Sequence, residues 1–424
     1  MRVLITTYAE RTHFLMMVPL AWALRTAGHE VRVAVQPKLV DTVTQAGLTA
    51  VPVGHDRDLW DLLARTGPEH FFGKETGWPA PYEAAEWPAE DVNWEHLRAG
   101  YRDVALRWHK TSNLPLIPDL VAFARQWQPD LVIWEPTTFA GPIAAKACGA
   151  AHARVLIGAD VFGITRDHFL RLDRERPAAD RADPLGEWLG SYARKYGAEF
   201  SEDMTTGDFT VDQLPDSLCI QGDLPYLHMR YVSYGGPAVV PKWLHEPPRR
   251  PRVALTMGLT VTDRTGGYPV DLQDILDAVD GLDVELVATV SDEARKQLRV
   301  PENARLVSYV PLQALLPTCS AAIHHTGVGT LATATMCGVP QLALPWDVDQ
   351  PALAARLAAA GAGLSIHATE ATSESVREGL LRLLTEPAFT ERVAALRDEM
   401  LALPSPNELV GQIEELTRKH QTNG

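Results

Sequence analysis

A chain of 424 residues exceeds what one hydrophobic core usually takes, and its 46% hydrophobic and 22% charged content is ordinary for a globular enzyme, so two or more folded domains are expected. A net charge of −15 offers no attractive field to nucleic acid or an anionic membrane. No apolar run approaches the roughly 18 residues that span a bilayer, so membrane insertion is not expected either. The start, MRVLITTYAERTH, lacks a basic region followed by a long apolar core, and Cys148, Cys219, Cys319 and Cys337 are too scattered for a metal motif. Buried thiols in a reducing cytoplasm are the expectation.

RVLIT (2–6) predicts a first parallel strand, and Leu15 to Ala27 a helix stopped by Gly28. EVRVAV (30–35), a helix over 38–46 ended by Gly47, and LTAVPV (48–53) continue an alternation typical of a doubly wound α/β sheet. From Asp56 to Asn113 this periodicity breaks down among prolines, acidic residues and aromatics that include Trp60, Phe71, Trp78 and Trp94. Such a segment suits an insertion lining a hydrophobic cleft; the alternative is that each ring packs satellite helices onto the sheet. Regular order resumes with DLVIWE (130–135), a helix from Thr138 to Cys148, and ARVLIG (153–158). The charged, proline-bearing stretch 166–185 reads as a solvated surface helix and loop, suited to protein contact. Tyr234 to Arg250 gathers two glycines and four prolines and reads as a linker between domains over 1–233 and 251–404.

The second series runs RVALTMG (252–258), a helix around 271–280, VELVAT (284–289), ARLVSY (304–309), a strand at Ala321–Ile323, QLALP (341–345), a helix from Asp349 to Ala360, a last strand at Gly363–Ile366, and three terminal helices, the last over 405–424. The stretch IHHTGVGTLATA (323–334) turns from buried strand to helix through two glycines, an imidazole and a hydroxyl. Glycines admit a ligand close to backbone N–H groups, and a helix N-terminus carries about half a positive charge. This chemistry suits an oxyanion, best a diphosphate; the alternative is a strand-to-helix turn whose histidines are structural. No GxGxxG follows the first strand, which disfavours a dinucleotide oxidoreductase.

HHTGVGT followed by GVPQLALP, DQ and GAGL resembles the HHGGxGT, GVPQ, DQ and GAG signature of bacterial family 1 glycosyltransferases. THFLMMVPLAWALRTAGHEVRVA resembles the opening of the same family, and DLVIWEPTTFAGPIAA, DPLGEWL and VVPKWL resemble actinomycete deoxysugar transferases that decorate polyketide antibiotics, of macrolide and anthracycline type. Thr326 departs from the usual glycine. The resemblance implies a GT-B fold, two Rossmann-like parallel-sheet domains facing across a cleft, with the C-terminal helix packing back toward the N-terminal domain. It also implies an inverting, metal-independent transfer of a deoxysugar from a dTDP-sugar to a polyketide hydroxyl, with no cofactor beyond that co-substrate.

His13 lies after the first strand, where open α/β sheets bind ligands, and resembles the family's catalytic base; the alternative is a satisfied loop histidine. Glu135 resembles the acid supporting that base, or else is a cap of the next helix. His325, Gly327, Gly329 and Thr330 resemble the diphosphate cradle, with His324 supporting it. Tyr309 and Val310 match the nucleobase segment, although Tyr309 also reads as a core aromatic. Asp349 and Gln350 match the pair holding sugar hydroxyls, while Thr256, Gly258 and Thr260 line the phosphates from the other side. Trp60, Phe71, Trp78 and Trp94 are the acceptor-binding candidates, joined by residues near 158–170. Asp347-Val348-Asp349 spells DxD, a metal motif of another glycosyltransferase fold, and is rejected as one because it follows the phosphate turn of a different architecture. A sugar-nucleotide epimerase of the same fold, or a non-catalytic member binding nucleotide or partner, are the alternatives. Relatives of this kind often need an auxiliary activator protein resembling a cytochrome P450, which is an expected partner; whether the chain forms a homodimer is left open.

Overall fold

In the computed structural model, which describes residues 1–56, 62, 65, 77–258, 268 and 270–423, the chain divides into two compact units. The first comprises Met1–Gln213, Ile220–Met229 and Pro404–Gly424, and the second Leu214–Cys219 and Arg230–Leu403.

The first unit holds a parallel sheet of β1 (Arg2–Thr6), β2 (Glu30–Val35), β3 (Thr49–Pro52), β4 (Leu131–Trp134), β5 (Ala151–Val155), β6 (Phe209–Asp212) and β7 (Tyr226–His228), in the order β3-β2-β1-β4-β5-β6-β7. Unbroken apolar runs such as VLI and LVIW suit strands covered on both faces. Helices α1 (Arg11–Thr26), α2 (Leu106–Asn113), α3 (Ile117–Trp127), α4 (Ala140–Cys148), α5 (Val161–Arg174) and α6 (Pro184–Lys195) cover them. Glycines at positive φ, Gly28 after α1 and Gly149 after α4, let the chain reverse into the next strand.

The second unit repeats the plan with β8 (Arg252–Thr256), β9 (Glu285–Thr289), β10 (Ala304–Val307), β11 (Ala321–His324), β12 (Gln341–Ala343) and β13 (Gly363–Ser365), ordered β10-β9-β8-β11-β12-β13 and all parallel. Its helices include α7 (Leu272–Val279), α8 (Val328–Met336), α9 (Gln350–Ala359), α10 (Ser373–Thr385) and α11 (Pro387–Ala402). The last helix, α12 (Pro406–Asn423), belongs to the first unit, where Leu409, Val410 and Ile413 are buried and Glu414 meets His29 at 3.0 Å.

Three expectations need correction. Tyr234–Arg250 is part of the second unit: Leu244 is buried against Ala254, Val287 and Ala322, and the Trp243 ring is flanked by Arg252 and Arg305. Residues 214–219 also belong there, because Ser217 binds Glu399 through its N–H and hydroxyl at 2.9 and 2.6 Å. The stretch 166–185 is solvated only in part, since Phe169 and Arg166 face inward and Arg166 pairs with Asp183 and Glu202, each at 2.6 Å. No helix among the described residues is long and apolar enough to cross a membrane.

Candidate active and nucleotide sites

In a doubly wound sheet, ligands bind beyond the strand carboxyl ends where the strand order reverses. In the first unit that point lies between β1 and β4, whose last residues, Thr6 and Trp134, are paired. Glu135 follows β4 directly, and His13 sits in the first turn of α1. His13 Nδ1 lies 3.6 Å from Glu135 Oε2, with the His13 side chain 19% exposed and Glu135 fully buried. Tyr8 stands edge-on to the imidazole at 5.5 Å.

A buried carboxylate is held by what it accepts. The Thr137 N–H reaches Glu135 Oε2 at 2.9 Å, the Thr137 hydroxyl lies 2.8 Å from both carboxylate oxygens, and the Thr138 hydroxyl donates to Oε1. Burial raises the Glu135 pKa, but His13, Thr138 and the Thr137 N–H outweigh it and hold the carboxyl below its ordinary range. Glu135 is therefore an anion at neutral pH, facing a ring still in reach of solvent. A histidine whose Nδ1 faces a carboxylate presents Nε2 as a proton acceptor.

In the second unit the order reverses between β8 and β11, with Thr256 and His324 paired at their ends. His324 is fully buried: its Nδ1 accepts the Thr326 N–H at 3.0 Å, so Nε2 carries the proton and donates to Gln341 Oε1 at 2.8 Å. Gln341 in turn donates to the Thr335 hydroxyl at 3.0 Å. Burial pushes the His324 pKa down to about 3, so it is a neutral brace for the turn. Burial likewise lowers His325 to about 4, against the Thr256 backbone, which favours its proton.

The glycines around His325 make room for it. A Cβ on Gly327 would lie 2.5 Å from His325 Nε2, and one on Gly258, at φ +77°, 2.8 Å from its Cε1. Helix α8 is capped directly by Gly327, and its first intrahelical bond is Thr330 N–H to Gly327 O at 2.9 Å. The Val328 and Gly329 N–H groups precede that bond, so they leave a donor-rich corner at a helix N-terminus, with the neutral imidazole beside it. Tyr231 fixes this helix by donating to Gly329 O at 3.2 Å, and Ser233 meets the Thr333 hydroxyl at 3.0 Å.

The remaining candidates divide. Tyr309 follows β10 and is 44% exposed, so it is not a core aromatic, whereas the Val310 side chain is buried in the core and leaves only its backbone for a ligand. Asp349 precedes α9, and Gln350 Oε1 accepts the N–H groups of Trp346 and Asp347 at 3.0 and 3.4 Å, so its carbonyl shapes the loop and its NH2 remains. Trp78 joins an aromatic wall, edge-on to Phe162 at 5.4 Å and Tyr82 at 6.4 Å. Trp94 is a packing residue instead: it is buried, its Nε1 donates to Asp173 at 3.0 Å, and Arg98 and Arg176 cover its ring. Trp60, Phe71 and Thr260 lie outside the described residues. Among those described, the group with metal-ligand spacing is His152, Asp203 and Asp208, and the Lys146 ammonium sits 2.5 Å from Asp203. Asn113, Thr137, Tyr231 and Ser233 were not foreseen; only the threonine pair after Glu135 offered a sign.

Comparison with known proteins matches residues 22–258 to the erythromycin biosynthesis protein CIII-like N-terminal domain and residues 273–416 to the corresponding C-terminal domain. The chain is 45% identical to a 10-deoxymethynolide desosaminyltransferase of Streptomyces venezuelae, over 99% of this chain and 98% of that one. It is 43% identical to an aclacinomycin-T 2-deoxy-L-fucose transferase of Streptomyces galilaeus, over 99% and 97%. The crystal structure of glycosyltransferase VinC in complex with dTDP superposes with a TM-score of 0.89 at 41% identity, covering 99% of this chain and all of that one (100%).

Proposed function

The chain belongs to the erythromycin biosynthesis protein CIII-like family and is a glycosyltransferase of GT-B fold, and from that premise we propose that it moves a deoxysugar from a dTDP-sugar to a hydroxyl of a polyketide aglycone. The observation that carries the mechanism is the His13–Glu135 pair at the β1/β4 reversal. His13 Nε2 takes the acceptor hydroxyl's proton as that oxygen attacks the anomeric carbon, and Glu135 stabilises the imidazolium that forms. The bond to the diphosphate breaks on the opposite face, so the sugar inverts in one displacement with no covalent intermediate. The charge that develops on the leaving diphosphate is met by His325 and the Val328 and Gly329 N–H groups, and no metal enters the step. Asp349 and the Gln350 NH2 hold sugar hydroxyls, and Tyr309 stacks on the base.

The dTDP bound to VinC supports the donor, and the two relatives, named for 10-deoxymethynolide and for aclacinomycin T, support the acceptor class. Trp78 is the candidate ring left partly uncovered for such an acceptor, held against Tyr82 and Phe162, which with Trp108 are themselves buried in the core. The reading places the reaction in the cytoplasm. It includes an auxiliary P450-like activator, by analogy with relatives, docked on the exposed part of the 166–185 stretch. The epimerase and non-catalytic readings find no support.

The test is product formation from dTDP-deoxysugars with macrolide and anthracycline aglycones, with and without an auxiliary protein and with EDTA. An inverted glycoside formed in EDTA is the expected result. Donor consumption without an acceptor, or activity restored only by Mg²⁺ or Mn²⁺, would contradict it.

A further inference from the structure

Asn113 ends α2 fully buried, and its amide makes three hydrogen bonds. Oδ1 accepts the Ala140 N–H at 2.9 Å, while Nδ2 donates to the Thr137 carbonyl at 2.9 Å and to the His109 carbonyl at 2.8 Å. Thr137 and Ala140 bracket Thr138, and the two threonines supply the hydroxyls on Glu135. Thr138 is tied in from the other side, its hydroxyl accepting the Tyr8 N–H at 3.0 Å. A fully buried carboxylate has no solvent to hold it in place, so its position follows the loop that donates to it, and one amide pins that loop at Thr137 and Ala140.

We propose that Asn113 is a positioning residue for the His13–Glu135 pair, acting through the 135–140 loop without touching substrate; the inference rests on the transferase reading of His13. Asparagine is the residue this position needs, because one short side chain must present an acceptor to an N–H and donors to two carbonyls. Aspartate would set an oxygen against both carbonyls, and alanine would leave all three groups unpaired. The third bond ties the pair to the aromatic wall. His109, whose carbonyl Asn113 holds, stacks on Trp108 at 4.9 Å and meets the Tyr82 hydroxyl at 2.5 Å. The base and the apolar wall thus share one anchor.

The experiment is a cycle of Asn113→Asp and Asn113→Ala with Glu135→Gln, reading kcat, KM and thermal stabilisation by dTDP. Each Asn113 variant should lower kcat about tenfold or more with the dTDP shift intact, as misplacement of a catalytic group does. In the Glu135→Gln background the same substitutions should cost less than about threefold, because the group they position is already lost. The loss should fall on kcat with KM for the donor little changed, as misplacement of the base gives; mere destabilisation would not split the two. Should Asn113→Ala fail to fold, Asn113→Asp, of nearly equal volume, decides through the cycle. Losses that multiply across the cycle would overturn the proposal, as would a loss that falls on KM instead of kcat. His13→Ala run alongside separates the failures: normal turnover there removes the base itself, whereas an inactive His13→Ala with multiplying losses removes only the role of Asn113.

Discussion

The first unit sets His13 at the reversal between β1 and β4, the second sets His325 at the reversal between β8 and β11, and the same ring meets opposite surroundings. His13 has a buried anion 3.6 Å from Nδ1 and a solvent-reaching edge, so a proton it gains is stabilised. His325 is wedged between the backbones of Gly258 and Gly327 with its pKa pushed down by burial to about 4, so it stays neutral beside a helix N-terminus. On the proposed reading, one fold yields a base and an anion receptor from the same residue type, distinguished by a carboxylate in one unit and glycines in the other.

The largest effect expected from breaking this contrast is on the base. His13→Ala should lower kcat at least about a hundredfold while dTDP binding is retained; steady-state kinetics beside a dTDP titration checks both halves. Next comes the receptor. Gly327 has φ −59°, which alanine adopts freely, so Gly327→Ala tests only the collision of a Cβ with His325 Nε2. Overpacking of this kind costs about 1–3 kcal/mol, and dTDP affinity by calorimetry should fall about tenfold or more.

A third prediction concerns acid. Burial lowers His109 and His324 to about 3 and His325 to about 4, all below the unfolded value of about 6.5. The unfolded chain then binds more protons between these limits, so stability is full above pH 6.5 and is lost as pH falls toward 3–4. Each histidine contributes up to about 1.4 kcal/mol per pH unit in that window. Urea midpoints from pH 7 to 5 should fall steeply, and more shallowly in His324→Gln; equal slopes would show that His324 is not held neutral. The smallest effect is at Thr326, which has φ +68° and a buried hydroxyl without a partner. Thr326→Gly relieves about 1 kcal/mol of left-handed strain but loses a buried methyl and adds backbone freedom, so stability should change by less than about 1 kcal/mol.

Thr326 also shows what the sequence can carry. The substitution is visible as a departure from a family pattern, but that the position is left-handed is a property of the folded turn. The alternating strands and helices were legible because apolar runs and glycine stops are local signals, and both histidines were legible because they follow strands at ligand-binding ends. β6 (FTVD) and β7 (YLH) are too short and mixed to announce themselves. Trp94 was misread because an aromatic in an irregular segment looks the same whether it lines a cleft or packs under arginines. The reason for Gly327 was also hidden: the sequence suggests room for a ligand, while the fold uses it as room for an imidazole. Asn113 gave no signal at all, since its three partners come together only through tertiary contact.

The most direct test of the central contrast is thermal stabilisation by dTDP in the wild type, His325→Ala and His13→Ala. A ligand at about 100 times its Kd adds about 2.7 kcal/mol, which reads as a rise of several degrees in Tm. The account predicts that rise in the wild type and in His13→Ala, and its loss in His325→Ala. An undiminished shift in His325→Ala, or one abolished by His13→Ala, would contradict the division of labour between the two histidines.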